Sequence, residues 1–450
     1  MAGKKTAQIA IEQDGEVRRI LEKVAASKQA DLEAWETALR MAVLSAGATA
    51  LEEVLQGIGS GREPRPIFCP CGVRMESRGL RRKELLTILG PVTYWRSMFH
   101  CPICQRTRYP GDEELDIMGT TRSPGLRRMM ARAGSQSTFK EARNDLKIYA
   151  GLEVSAKDIE RVAEGIGQQM EAWLSQEREG IFRQGEPLRM EKTIPVLYIS
   201  YDGTGVPMTP EELRGRKGKQ VDGSAKTREA KLGCVFTQTR TDAKGFPVRD
   251  PDSTSFVGAI EFAEDFGWRI DAEAVRRGLF KAQRVVVLAD SAEWIKNIWQ
   301  MHFPGAMFIV DLYHARQHIS ALCKLLFAHN GKKIEQQRIR WWTNLDEGNI
   351  EKIIREAQKQ LPEDPQENKK TQTEIHYFEK NKEHMRYAEF RAQGLFVGSG
   401  VVEAGCKNVI GQRLKQSGME WSIRGADAII SLRCIIKSNR FEDYWESRAS

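Results

Sequence analysis

A multidomain α/β protein is predicted from three observations. The chain has 450 residues, too many for one ordinary core and enough for about three modules of roughly 100 to 200 residues each. Two short cysteine pairs, Cys69-Pro-Cys71 and Cys101-Pro-Ile-Cys104, flank a hairpin-like segment. From residue 196 onward, apolar strand-like runs alternate with helical stretches, and three of those runs end in Asp, at Asp202, Asp290 and Asp311.

Charge and composition narrow the class. Lys plus Arg is 69 against 61 Asp plus Glu, a formal balance of +8 that favours a polyanionic partner. With 41% hydrophobic residues the composition is that of a globular protein. No apolar run approaches the roughly 18 residues of a membrane span, and the opening MAGKKTAQIAIEQDG has no apolar signal core. A cytoplasmic protein without membrane partners is expected. Its eight cysteines should then stay reduced unless they bind metal.

Residues 1–60 read as a helical unit. Ile20, Leu21 and Val24, then Leu32, Trp35, Leu39, Val43, Leu51 and Leu55, recur mostly at three- and four-residue intervals. Such stripes are usually buried faces, so packing or dimerisation is expected, with a homo-oligomer, first a dimer, as the assembly. The glycines and prolines of GIGSGREPRP, residues 57–66, mark a linker. Residues 65–115 then carry knuckle, hairpin, knuckle. Strand-like runs over 84–89 and 92–99 turn at Gly90-Pro91, so Cys69, Cys71, Cys101 and Cys104 would reach one structural zinc from two tight turns, as in a zinc ribbon. The C-x-C spacing of the first pair is tighter than the common C-x-x-C. His100 would be a fifth ligand and is left out.

Residues 120–190 are expected to be helical. Phe139, Ala142 and Leu146 share a face, Gly151 breaks the run, and Ser155 opens a second helix carrying Ile159 and Val162. That cadence fits a helix-turn-helix whose second helix offers Lys157 and Arg161 to a DNA groove, although plain helical hairpins share it. Residues 191–318 form the first part of a mixed-sheet core, with strands near 196–202, 231–237, 256–262, 284–289 and 307–310. A helical stretch, 319–396, interrupts it, and 397–450 complete it with a helix bearing Glu403 that Ser399 or Gly400 could start.

In such a sheet, Asp residues at the ends of adjacent central strands converge, and a carboxylate set without thiols favours magnesium or manganese. Spacing alone does not choose between Asp290 and Asp311. A lone strand-end Asp is usually a cap or turn residue, and Glu403 could simply pair with Lys407. His314 stands equally well as a structural residue or as a contact to the reacting strand. Lys407, Arg413, Lys415 and Arg424 flank the Glu403 helix and are the candidates for phosphate contacts. Trp341, Trp342 and Trp421 could stack on a base, but Trp is mostly buried. Cys234, Cys323, Cys406 and Cys434 are expected to be free and replaceable at a packing cost only.

The wording of five segments goes further. VLYISYDGTGVPM, RVVVLADSAEWI, MFIVDLYHARQHI, VGSGVVEAGCKNVIGQRLKQSGMEWS and GADAIISLRCIIKSNRFEDYW together resemble bacterial DDE insertion-sequence transposases of the Kra type, distant relatives of Mutator-like transposases. The resemblance spans about residues 65 to 445 and implies a ribonuclease-H-like core with Asp202, Asp290 and Glu403 as the metal-binding triad. It implies that Asp311-Leu-Tyr-His314 is a family signature following the second catalytic Asp. Ser291 departs from the Gly expected there. Two Mg2+ or Mn2+ ions on such a triad would support cleavage of double-stranded DNA at transposon ends and strand transfer into a target. Two other readings keep the same residues: an endonuclease without strand transfer, and a non-catalytic DNA-binding regulator.

Overall fold

The computed structural model describes the chain apart from residues 1–14, 27–30, 59–65, 186–190, 219, 221–222, 329 and 449–450. The opening segment and most of the proposed linker therefore lie outside the described residues, as do the side chains of Ile20, Leu21 and Val24. Two compact units divide the chain, Met1–Ala163 and Glu164–Ser450, with the boundary inside the helix Ala156–Gln184. No helix among the described residues is long and apolar enough to cross a membrane.

In the first unit the helices Gly15–Ala26 and Leu32–Ile58 precede a hairpin of β1 (Glu76–Thr87) and β2 (Gly90–His100), to which β3 (Thr107–Arg108) adds. The hairpin turns at Ile88-Leu89. Pro91 is already paired with Leu86 and Gly90 with Thr87, so the turn expected at Gly90-Pro91 lies two residues early, and Gly90 supplies the positive φ of 120°. Strand β1 also starts well before residue 84; its first eight residues, ESRGLRRK, are polar and mostly exposed and leave no alternation to read. Ala48 and Leu55 of the helix Leu32–Ile58 bury against Leu85, Val92, Tyr94 and Ile117. The hairpin therefore has a core of its own away from the cysteines. Beneath it, Lys83 Nζ donates to Asp112 Oδ2 at 2.9 Å and to the carbonyl of Ile117 at 2.6 Å, a buried charge with two partners.

Three helices follow, Pro124–Gln136, Phe139–Ala150 and Ala156–Gln184. Thr138 and Glu141 form a reciprocal cap at the start of the second, Gly151 ends it with φ 70°, and Ser155 Oγ accepts from the amide of Asp158 at the start of the third. Leu126, Met130, Ala142, Leu146 and Ile159 pack together.

The second unit is built on β4 (Ile194–Pro207), β5 (Thr227–Gln238), the small β6 (Arg240–Thr241) and β7 (Pro247–Val248) hairpin, β8 (Ser255–Ala259), β9 (Ala282–Ala289) and β10 (Met307–Val310). The main sheet runs β10-β9-β4-β5-β8, with β10, β9 and β4 parallel and β5 antiparallel to both its neighbours. Leu197, Tyr198, Ile199, Val286, Val287, Leu288 and Ile309 are buried in one core, each contributing about 1.5 to 3 kcal/mol if fully removed from water. Strand β8 stops at Ala259, short of the expected 262, because Phe262 is the residue before the helix Ala263–Arg276 and is exposed. The stretch between β10 and residue 399 is helical: Leu312–Leu326, Gly331–Asp346, Ile350–Gln358, Pro365–Asn381 and Tyr387–Ala392.

Candidate functional site

Register, not proximity in sequence, assembles the carboxylates. Ile199 of β4 pairs with Val287 of β9, and Val310 of β10 with Ala289 of β9. Asp290 and Asp311 directly follow the parallel strands β9 and β10, whereas β4 does not end at Asp202 as expected but runs on to Pro207 paired with β5, so Asp202 lies within its strand, three residues past the last rung shared with β9. The amide of Asp311 still donates to the carbonyl of Ala289 at 2.9 Å.

The three aspartates then part company. Asp311 is buried, and both its oxygens are taken: Oδ1 accepts from the amide of His314 at 2.7 Å, capping the helix Leu312–Leu326, and Oδ2 accepts from the amide of Ser399. Asp202 Oδ1 accepts from the amide of Gly203 at 2.7 Å, and the Cys406 thiol lies 3.9 Å from Oδ2. Asp290 Oδ1 accepts from the amide of Ser291 and lies 3.2 Å from His314 Nε2. Ser291 at the Gly position thus still serves through its backbone.

Glu403 comes from the short helix Gly400–Gly405, which packs on β4 and β5. Gly405 is required for that fit, since a Cβ there would stand 2.7 Å from Phe256 Cε1. Glu403 makes no ion pair with Lys407 among the described residues. The helix widens into a π-turn over Cys406–Gly411, a deviation from α geometry common near functional sites. Within that turn Lys407 is exposed and Ile410 is buried.

The electrostatics join these groups. Burial first, then the negative charge of Asp290 and Glu229, raise the Asp202 carboxyl, against the Gly203 amide and His314. Burial, then Asp311 and Asp202, raise Glu403, with His314 opposing. The Cys406 thiol is pushed up to about 12, by burial first and then by Asp202. A cation among these carboxylates would relieve their mutual repulsion, and hard oxygen donors fit magnesium or manganese. Their oxygens are not drawn together as thiols are elsewhere: among the described residues, only Cys69, Cys71, Cys101 and Cys104 bring three or more ligand atoms within 4.8 Å of one another.

That cysteine cluster can bind zinc. The Cys69 and Cys104 sulfurs are 3.3 Å apart and those of Cys71 and Cys101 3.6 Å. Gly72, with φ 84°, and Gln105, with φ 59°, close the two knuckles, and the C-x-C pair reaches the cluster as well as a longer spacing would. His100 Nε2 is engaged with Gln105 Oε1 at 3.0 Å.

Other expected residues divide. Lys415 is exposed, and its Nζ reaches Thr204 Oγ1, two residues beyond Asp202. Arg424 is exposed and donates to Gln168 Oε1 at 2.7 Å, Lys157 pairs with Glu160 at 2.7 Å, and Arg161 is exposed. Arg413 is a correction: it is 0% exposed, its guanidinium 5.0 Å over the ring of Trp421 and its Nη1 3.7 Å from Met419 Sδ, so it cannot reach a phosphate. Trp341 and Trp421 are buried, with their indole N–H groups on Glu356 Oε2 at 2.8 Å and the carbonyl of Leu414 at 3.1 Å. Trp342, half-buried, donates to the carbonyl of Arg316 at 3.2 Å.

Cys406 at Asp202 was missed as a site residue; its place three residues after Glu403, one helical turn on, was the available signal. So was the pair beside His314. His318 stacks on Tyr377 at 3.7 Å and meets Glu374 Oε2 at 2.8 Å. Because those partners lie on the helix Pro365–Asn381, local sequence held no signal for them.

Comparisons with known proteins bear on this segment. The sequence model of an uncharacterised protein family, UPF0236, matches residues 268–444, a stretch that contains Asp290, His314 and Glu403 and excludes Asp202. The UPF0236 protein in the vanSb 3′ region of Streptococcus gallolyticus is 23% identical over 387 residues, 83% of this chain and 76% of the relative. A solved structure, the Drosophila P element transposase strand transfer complex, is similar at 11% identity over 75% of this chain and 84% of that one, with a TM-score of 0.24. The chain is thus similar, through its second half above all, to the UPF0236 proteins.

Proposed function

We propose that this chain is a DNA transposase of the DDE type, with Asp202, Asp290 and Glu403 as the metal-binding triad and a ribonuclease-H-like core. The observation that carries the reading is the parallel pairing of β4 with β9, which brings Asp202 near Asp290 just past the end of β9, so that Asp202 feels the charge of Asp290 and Glu403, from a far later segment, feels that of Asp202. The strand order β10-β9-β4-β5-β8 supports the fold that the motif resemblance implies. Each oxygen of Asp311 already holds a backbone amide, whereas Asp290 Oδ2 holds none among the described residues, which favours Asp290 as the second ligand.

Bound Mg2+ or Mn2+, two per site, would polarise the scissile phosphate and lower the barrier to attack by water or by a DNA 3′-hydroxyl. His314, held 3.2 Å from Asp290, orients that carboxylate and can exchange a proton at Nε2. Lys407, Lys415 and Arg424 take phosphates, Lys157 and Arg161 read a groove, and the zinc-bound cysteines fix the ribbon. Leu32, Met41, Val43 and Val54 stay exposed on the helix Leu32–Ile58, which supports pairing of two chains through that helix. A cytoplasmic location belongs to the same reading, since a reducing compartment would keep the zinc-site thiols able to bind metal.

The test is incubation of the purified chain with Mg2+ and DNA carrying the ends of its own element. Nicked ends and joined products are expected. Cleavage without joining would make the chain an endonuclease, and end binding without either would make it a regulator.

A further inference from the structure

A second concavity lies behind the Glu403 helix. It measures ≈ 740 Å³ and is walled on one side by Val401, Ala404 and Gly405 of the short helix and Asn408 of the π-turn that follows it, and on the other by Pro247 and Val248 of the β6–β7 hairpin. Phe256 and Phe396, both half-buried, also line it. Its polar lining is lopsided: Arg249 and Lys437 supply two cations, both exposed and neither in an ion pair among the described residues, against the single carboxylate of Asp252. Asn408 and Asn439 add two exposed side-chain amides.

We infer that this groove binds one nucleotide of an unpaired DNA strand beside the catalytic carboxylates, an inference that rests on the DNA-processing reading above. The chemistry is that of single-strand recognition. Aromatic rings accept a base face, amides read an exposed base edge, and cations take the flanking phosphates. A volume within the roughly 300 to 1,000 Å³ of small-ligand pockets admits a base and its sugar but not a duplex. Of the other aromatic candidates, Trp341 and Trp421 are buried, and the half-buried Trp342 is engaged with the carbonyl of Arg316 and the guanidinium of Arg338. Position supplies the role. Glu403 and Ala404 are neighbours on one short helix, and Asn408 is anchored through its carbonyl to Arg433. An unpaired nucleotide seated there would hold its strand across the helix that carries the third carboxylate, on a face that Glu403 itself does not line.

Fluorescence anisotropy of the full chain with a labelled single strand of roughly 12 nucleotides, and with its duplex, tests this. The double variant R249E/K437E should weaken single-strand affinity at least tenfold while duplex affinity changes less than twofold. Ala404→Trp, which fills the groove without altering charge, should weaken single-strand affinity about fivefold. Unchanged single-strand affinity in both variants, or equal loss for both DNA forms, overturns the groove. Cleavage of duplex ends by a wild-type chain that does not bind the single strand overturns the groove and leaves the transposase reading standing. Groove-dependent single-strand binding by a chain that neither cuts nor joins DNA keeps the groove and removes the transposase.

Discussion

The side chain of Asp311 accepts the backbone N–H of Ser399, the residue immediately before the Glu403 helix. The third aspartate at the sheet edge is therefore a tether: it fixes where the third carboxylate begins, and it does so with the oxygen that the His314 amide leaves free.

Replacing Asp311 and Asp290 should accordingly give different defects. Asp311→Ala leaves two buried amides without acceptors, at about 1 to 3 kcal/mol each, and should lower the melting temperature with chemistry reduced in proportion to folded protein. Asp290→Asn, Asp202→Asn and Glu403→Gln should keep the fold and the duplex affinity and cut cleavage at least about 100-fold, about 2.7 kcal/mol of transition-state stabilisation. Thermal melts beside single-turnover cleavage check both. Cleavage near wild type in Glu403→Gln would remove the triad.

Zinc should be present at one ion per chain and be confined in its effect. Ile67, Cys69, Met75 and Cys101 form a small cluster around the cysteines, whereas Tyr94, Val92 and Ile117 are packed elsewhere. Cys101→Ser should release the metal and loosen the knuckles, while hydrogen exchange at the β1–β2 turn stays protected. Exchange opening throughout the hairpin would show that the helix Leu32–Ile58 does not hold it.

Arg413 and Lys415 should separate cleanly. Arg413→Ala removes a buried guanidinium from Trp421 and should cost about 2 kcal/mol of stability. Lys415→Glu should leave the melt unchanged, weaken all DNA alike and lower the salt slope by about one ion. A salt series of binding isotherms decides the second claim and a denaturant titration the first.

Asp427 offers a pH signature away from the carboxylate site. Burial raises its carboxyl to about 6, with Glu261 and Glu171 adding to it, although Oδ1 accepts the Ile260 amide at 2.7 Å and Arg269 opposes. Unfolded Asp ionises near 3.9, so the fold binds this proton more tightly, and its contribution is present below about pH 4 and lost as pH rises through 6. Asp427→Asn keeps the acceptor for Ile260. It should therefore raise stability by about 2 kcal/mol at pH 7.5 and leave it nearly unchanged at pH 4. Melts at the two pH values that shift equally would exclude the mechanism.

Much of this was legible in the chain itself because the signals were local. The all-apolar run MFIV is β10 to the residue, Gly151 ends its helix as a left-handed glycine, and two knuckle spacings brought four sulfurs together. What sequence did not yield was non-local. Arg413 carries the charge of a phosphate ligand, and only the fold reveals that Trp421 covers it. The widening after Gly405 leaves no mark in composition. Asp311 and Asp290 end equivalent strands, and it took the Ser399 amide to tell them apart.

The chain order of the acids has its own consequence for biosynthesis. Asp202 and Asp290 are made well before the segment that carries Glu403, and that segment must settle onto β4 and β5 after a long helical stretch has emerged. A nascent or prematurely terminated product would thus contain the cysteine cluster and the three-helix segment, each with local packing, but only two of the three acids. On the proposed function, such a fragment could occupy the element ends and could not cut them, so truncation alone would turn the gene product into an antagonist of its own full-length form.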